Sequence, residues 1–219
     1  MPERKLTLLP SPAPGAPLVL LITVEAEGRQ VWSAVRAMTE ADFSMAVIGG
    51  LDWDADLTPW PAPAAFRSGA PYAGKADAWL EALTGEVLPR ALAELPGEPA
   101  WIGLAGYSLA GLFALYAPYV SPAFSRIASV SGSLWYPGFI EFAREREWTR
   151  RPDRVYLSVG DREARTRNPA LRPVGENTGL LAELYGQRGV PTIFELNPGG
   201  HFDRPVERTA RGIVRLLSD

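Results

Sequence analysis

Gly106-Tyr107-Ser108-Leu109-Ala110-Gly111 sets a serine among small residues, with an apolar strand pattern before it (Trp101 to Ala105) and an apolar helix pattern after it (Leu112 to Tyr116). The run is a close variant of G-x-S-x-G, with Ala110 at the usual second glycine and Gly111 one place later. Such a strand-to-helix turn holds the serine hydroxyl clear of the backbone, and small neighbours let the helix pack against the strand. The free N–H groups of the helix N-terminus beneath it favour negative charge. This arrangement suits nucleophilic attack by Ser108 on a carbonyl. The competing reading is an ordinary turn, because the pattern is short.

A serine is a weak nucleophile; it needs a base, and the base needs an orienting group. The chain has a single histidine, His201, so any imidazole base is that residue. It ends the loop Asn197-Pro198-Gly199-Gly200-His201, between a terminal strand pattern and a terminal helix pattern. Gly160-Asp161-Arg162-Glu163 follows an earlier strand pattern. The chain order serine, acid, histidine is the one this kind of elbow uses. The third place after the glycine favours Glu163 as the acid, with Asp161 second. The other carboxylate is expected to pair with Arg162, Arg165 or Arg167. An oxyanion hole would use the backbone N–H of Leu109 and one from the loop Val24-Glu25-Ala26, where topology singles out Glu25.

These residues must be positioned by the intervening elements. Leu6–Leu9 reads as a short edge strand, and Leu18–Val24 and Ser44–Ile48 as strands buried on both faces. Glu25 to Gly28 reads as a loop and Val31–Thr39 as a helix. Residues 51 to 74 form a long irregular segment containing Trp53 and Trp60, either a lid packed for stability or a substrate-contacting loop. Ala76–Leu95 reads as one amphipathic helix kinked at Pro89. After the elbow come a strand at Ile127–Ser131, a helix at Phe139–Trp148, a strand at Val155–Gly160 and a polar loop from Asp161 to Pro173. A helix at Glu176–Arg188, a strand at Pro191–Leu196 and a helix at Val206–Leu217 close the chain. Alternating strands and helices predict an α/β fold: a three-layer α/β/α sandwich with a mostly parallel sheet and right-handed crossovers. Ligands then bind at the carboxyl ends of the strands, where every candidate residue lies. No linker or repeat divides the 219 residues, so one domain over 1–219 is expected, with little room for a cap.

Composition narrows the function. A net charge of −3 argues against a nucleic-acid partner. No apolar run approaches the ~20 residues of a membrane span. The start of the chain, with Glu3-Arg4-Lys5 and then Pro10 to Gly15, makes a poor signal peptide, so a cytoplasmic location is expected. The absence of cysteine excludes disulfides, thiolate metal sites and a cysteine nucleophile. Asp52, Asp54 and Asp56 alternate as in a calcium loop but lack its glycine and terminal glutamate, and with one histidine no metal site is expected. Gly49-Gly50 and Gly199-Gly200 lack phosphate-loop spacing, so no cofactor is expected either.

With these residues placed, the chain resembles the esterase branch of the α/β-hydrolase superfamily that contains the enterochelin (siderophore) esterases. The carriers are residues 106–116, Ser131-Gly132-Ser133-Leu134-Trp135-Tyr136-Pro137-Gly138-Phe139, Gly160 to Glu163 with Thr166 to Pro169, and Asn197 to Phe202. The loop 52–60 resembles compact bacterial hydrolases of that branch. The resemblance implies an α/β-hydrolase fold, a small-molecule ester substrate, Ser108 as nucleophile and His201 as base. Some siderophore esterases work with a Ser–His dyad, which bears on Glu163. The 219 residues are expected to form the hydrolase domain without the N-terminal domain of the siderophore enzymes. Trp53, Tyr107 and Trp135, with Trp60 and Tyr136, are candidates to stack on an aryl or acyl group, and the arginines at 162–167 to meet a substrate carboxylate. Core packing and a solvated loop are the competing readings for these residues. Acyl transfer or lactone opening would use the same machinery, and a binding protein that kept the fold is the non-enzymatic alternative.

Overall fold

Along Leu18–Ile22, the strand β2, every side chain is buried. Its residues alternate between two separate cores: Leu18, Leu20 and Ile22 face one, Val19 and Leu21 the other. This period-2 division is what a strand covered on both faces requires. The computed structural model describes residues 5–66 and 69–218.

A seven-stranded sheet runs in the order β1-β3-β2-β6-β7-β8-β9. Its strands are β1 (Lys5–Leu9), β2, β3 (Ser44–Gly49), β6 (Ile102–Tyr107), β7 (Arg126–Val130), β8 (Arg154–Gly160) and β9 (Thr192–Asn197). Only β1 is antiparallel to its neighbour; the other pairings are parallel. Helices α1 (Glu25–Met38) and α8 (Pro205–Leu217) cover one face. The other carries α3 (Ala76–Ala82), α4 (Leu88–Ala93), α5 (Leu109–Val120), α6 (Phe139–Glu145) and α7 (Val174–Gln187). This is the expected three-layer α/β fold. Register places Ile22 beside Gly106, Tyr107 beside Val130, and Gly160 beside Asn197, so the carboxyl ends of β2, β6, β7, β8 and β9 share one rim.

Three local expectations are corrected. Helix α1 starts at Glu25, not Val31. Acidic residues suit a first turn, and Gly28, read as a loop signal, lies where α1 meets β3: a Cβ there would sit 2.3 Å from Val47 Cγ1. The described residues of the segment from 51 to 74 include short regular elements. Helix α2 (Trp53–Asp56) is capped by Asp52, whose Oδ1 accepts the Ala55 N–H at 3.2 Å, and β4 (Pro61–Ala62) pairs with β5 (Tyr72–Ala73). The helix read as kinked at Pro89 instead has a π turn at Leu83–Val87 between α3 and α4. Proline lacks an N–H and crowds the carbonyl four residues earlier, here Gly85, so the irregularity falls one turn before it.

Candidate active site

Ser108 joins β6 to α5 with φ 59 and ψ −124, a backbone conformation rare outside glycine. Three hydrogen bonds hold it there: its N–H donates to Val130 O at 3.1 Å, and its carbonyl accepts from Leu112 and Ser133 N–H at 3.1 and 3.0 Å. The small residues have physical reasons. A Cβ on Gly106 would lie 2.5 Å from the Ala110 carbonyl, so the absence of a side chain at 106 leaves room for the backbone at 110. A Cβ on Gly111 would lie 3.0 Å from Gly132 Cα.

The loop after β9 brings His201 to the elbow, with Nε2 3.0 Å from Ser108 Oγ. Its Nδ1 is 2.7 Å from Glu163 Oε2. The other carboxylate oxygen, Oε1, accepts the Gly160 N–H at 2.7 Å. Burial pushes the Glu163 pKa up, but the hydrogen bond and charge of His201, the Gly160 N–H and the Ser131 hydroxyl outweigh it and hold the carboxyl below its ordinary range. An ionised Glu163 accepts the Nδ1 proton, which leaves the Nε2 lone pair facing Ser108. The second carboxylate does other work: Asp161 Oδ1 accepts the Gly199 N–H at 2.8 Å and so ties down the histidine loop. Its expected ion pair with Arg162 is stretched to 4.0 Å, and Arg162 also meets Asp203 at 3.4 Å.

A cavity of about 520 Å³ opens beside Ser108 and His201, lined in part by Trp53, Tyr72, Trp135, Arg165 and Phe202. Trp53 and Trp135 are therefore at the cavity wall. Tyr107 is not. Strand alternation points it with Ala105 toward the α1/α8 face, and its hydroxyl donates to the His201 carbonyl. Trp60 and Tyr136 belong to an aromatic cluster with Phe139 and Phe142; Trp60 Nε1 donates to Pro137 O at 2.9 Å. Leu109 lines the cavity, and Leu109 and Glu25 each open a helix at the rim. The first N–H groups of a helix have no acceptor within it.

Sequence reasoning missed Ser133 and Arg208. Ser133 Oγ lies 3.3 Å from Ser108 Oγ. Arg208 Nη1 is 3.3 Å from Glu163 Oε1, and both side chains are 3% exposed. A signal existed for Arg208: it lies among the small and apolar residues of α8, four before Gly212, where a charge needs a buried partner. Among the described residues, no cluster suited to a metal ion occurs, and no helix is long and apolar enough to cross a membrane.

The fold is of the α/β-hydrolase kind. The chain belongs to the esterase family described as "Putative esterase", whose model matches residues 29–203 and so spans Ser108, Glu163 and His201. It is 28% identical over 139 residues to the uncharacterized protein YbbA of Bacillus subtilis, covering 61% of this chain and 55% of that one. In fold it is similar to the siderophore hydrolase EstA from Aspergillus nidulans, with a TM-score of 0.76, 22% identity, and coverage of 93% of this chain and 83% of that one. It is also similar to the enterobactin esterase FES from Shigella flexneri, with a TM-score of 0.70, 22% identity, and coverage of 97% and 55%. The chain thus spans about half the length of YbbA and of FES.

Proposed function

We propose that the protein is a serine esterase that cleaves small aryl or acyl carboxylic esters through an acyl-enzyme. The observation that carries this reading is the run from Glu163 Oε2 to His201 Nδ1 at 2.7 Å and from His201 Nε2 to Ser108 Oγ at 3.0 Å, at the wall of an aromatic-lined cavity. Ser108 Oγ attacks the ester carbonyl while His201 Nε2 takes its proton. The carbonyl electron pair moves to oxygen, which the N–H groups of Leu109 and Glu25 receive. Collapse breaks the bond to the leaving alcohol, which takes the proton from His201. Water, activated by the same imidazole, then attacks the acyl-enzyme and releases the acid and the serine. Glu163 holds the imidazole in the required tautomer. Trp53 and Trp135 contact the substrate. An alcohol in place of water would give acyl transfer, and a lactone would open by the same steps.

The test is labelling with a fluorophosphonate probe on wild type, Ser108→Ala and His201→Ala, followed by a panel of nitrophenyl esters. Labelling of wild type that is lost in both variants supports the reading. A folded wild type that neither labels nor hydrolyses any ester defeats it. Product analysis with competing alcohols separates hydrolysis from transfer.

A further inference from the structure

We propose that Arg208 is a positioning residue of the Glu163–His201 pair: it grips the carboxylate and the backbone of the histidine loop together, so that one carboxylate oxygen is presented to the imidazole. The inference rests on the esterase reading above. Arg208 stands in the first turn of α8, the helix that follows the histidine loop. Its Nη1 lies 3.3 Å from Glu163 Oε1, 3.2 Å from Ser131 Oγ and 3.5 Å from the Tyr107 hydroxyl. Its Nη2 donates to Pro198 O at 2.8 Å, three residues before His201. One guanidinium therefore meets groups at or just beyond the ends of β6, β7, β8 and β9. Tyr107 in turn donates to the His201 carbonyl. Besides the Asp161 contact at Gly199, the loop is held at Pro198 and His201 by groups that also touch each other.

Burying a guanidinium is costly unless it is paired and hydrogen-bonded. The rest of this face of α8 is filled by Ala210, Ile213 and Leu216. An apolar residue at 208 would serve packing alone; it would remove the cation from Glu163 Oε1 and the Pro198 tie from the loop. The fork is needed as well as the charge, because its two ends reach acceptors in different directions. The groups facing Glu163 are His201 from the loop after β9, Arg208 from α8, Tyr107 from β6 and Ser131 after β7. Its chain neighbours Asp161 and Arg162 are turned to Gly199 and Asp203.

The test compares the full chain with Arg208→Met and Arg208→Lys. Active sites are counted by fluorophosphonate titration, and kcat and KM for a nitrophenyl ester are followed across pH. In Arg208→Met, kcat per titrated site is expected to fall on the order of 10- to 100-fold with KM little changed, about the worth of a hydrogen bond to a charged group. The acid limb moves to higher pH, because a buried cation no longer opposes adding a proton to the pair. In Arg208→Lys the limb returns and kcat recovers only in part. The Nδ1 proton of the single histidine gives a substrate-free reading: its low-field NMR signal should shift or vanish in Arg208→Met. Unchanged kcat per site with an unchanged limb and signal would overturn the proposal, as would a loss confined to the number of titratable sites. If Arg208→Met does not fold, a Lys variant with wild-type kcat per site overturns it alone. A wild type that neither titrates nor turns over defeats the esterase reading instead, and the histidine signal still decides the role of Arg208.

Discussion

Ser133 Oγ lies 3.3 Å from Ser108 Oγ, while the Ser133 N–H donates to the Ser108 carbonyl at 3.0 Å. The residue thus touches Ser108 through both its backbone and its side chain. Under the proposed mechanism a hydroxyl there would steer Ser108 Oγ toward His201. Ser133→Ala keeps the backbone bond and removes the other. It should lower kcat by ~2- to 10-fold, the worth of one neutral hydrogen bond, and leave KM nearly unchanged. Steady-state kinetics on one ester checks this; a kcat equal to wild type removes Ser133 from the mechanism.

Glu163→Gln and Asp161→Asn separate the two carboxylates. The glutamine amide presents no anionic acceptor to Nδ1 and leaves Arg208 without its buried counter-charge. A fall in kcat of roughly 10³- to 10⁴-fold is expected, as when the acid of such a triad is neutralised. Asp161→Asn weakens only the tie to Gly199 and should cost less than about tenfold. The reverse ranking would mean that Glu163 is not the orienting acid, and equal small effects would fit a Ser–His dyad.

Acid should weaken the fold through Glu163. Its folded pKa lies below the ordinary value of 4.5, so the unfolded chain binds the proton more readily. The stability it contributes is present above the unfolded value and is lost as pH falls through the folded one. Urea midpoints between pH 7 and 3 should fall more steeply for wild type than for Glu163→Gln.

Alkali should weaken it through buried tyrosines. Burial raises Tyr119, Tyr136 and Tyr156 to about 12 from an ordinary value of 10.0. Between these values the folded chain keeps a proton that the unfolded chain has lost. Stability present below pH 10 then falls as pH rises from 10 toward 12 through these groups. Tyr156→Phe, which removes the hydroxyl bonded to Glu195, should flatten the decline measured in urea.

Substrate preference should follow the cavity wall. Trp135→Ala is expected to raise KM for bulky aryl esters several-fold more than for an acetate, because it removes a stacking surface worth about 1 kcal/mol or more. Arg165 lines the cavity and has no ion-pair partner among the described residues. Arg165→Gln should lower kcat/KM for an ester bearing a carboxylate and spare its neutral counterpart. Equal losses on both esters would deny the arginine a role in choosing substrates.

Much of the framework was legible along the chain. Residues 18–22, 45–48, 102–106 and 155–157 are short apolar runs, and a parallel sheet covered on both faces buries such runs. The elbow was legible in part because one of its glycines answers to backbone contact within a few residues: a Cβ on Gly106 would clash with Ala110, whereas Gly111 answers to the distant Gly132. His201 was legible because it is the single imidazole.

Spacing after Gly160 favoured Glu163 over Asp161, but what each carboxylate meets is not set locally. Both follow Gly160, and only the path of the β9 loop decides that one meets His201 and the other Gly199. The same holds for the aromatics. Trp53 and Trp60 sit in one short segment, yet one lines the cavity and the other packs on Phe142. Ser133 and Arg208 left little trace because their partners lie 25 and 45 residues away. By itself the sequence determined which strands are buried, where the serine turn falls and which residue types are present for the chemistry, since these follow from periodicity and near-neighbour sterics. Tertiary structure decided which carboxylate faces the histidine, which aromatics face the cavity and which arginine goes inside, because hydrogen bonds and burial depend on distances that only the closed sheet and its loops set.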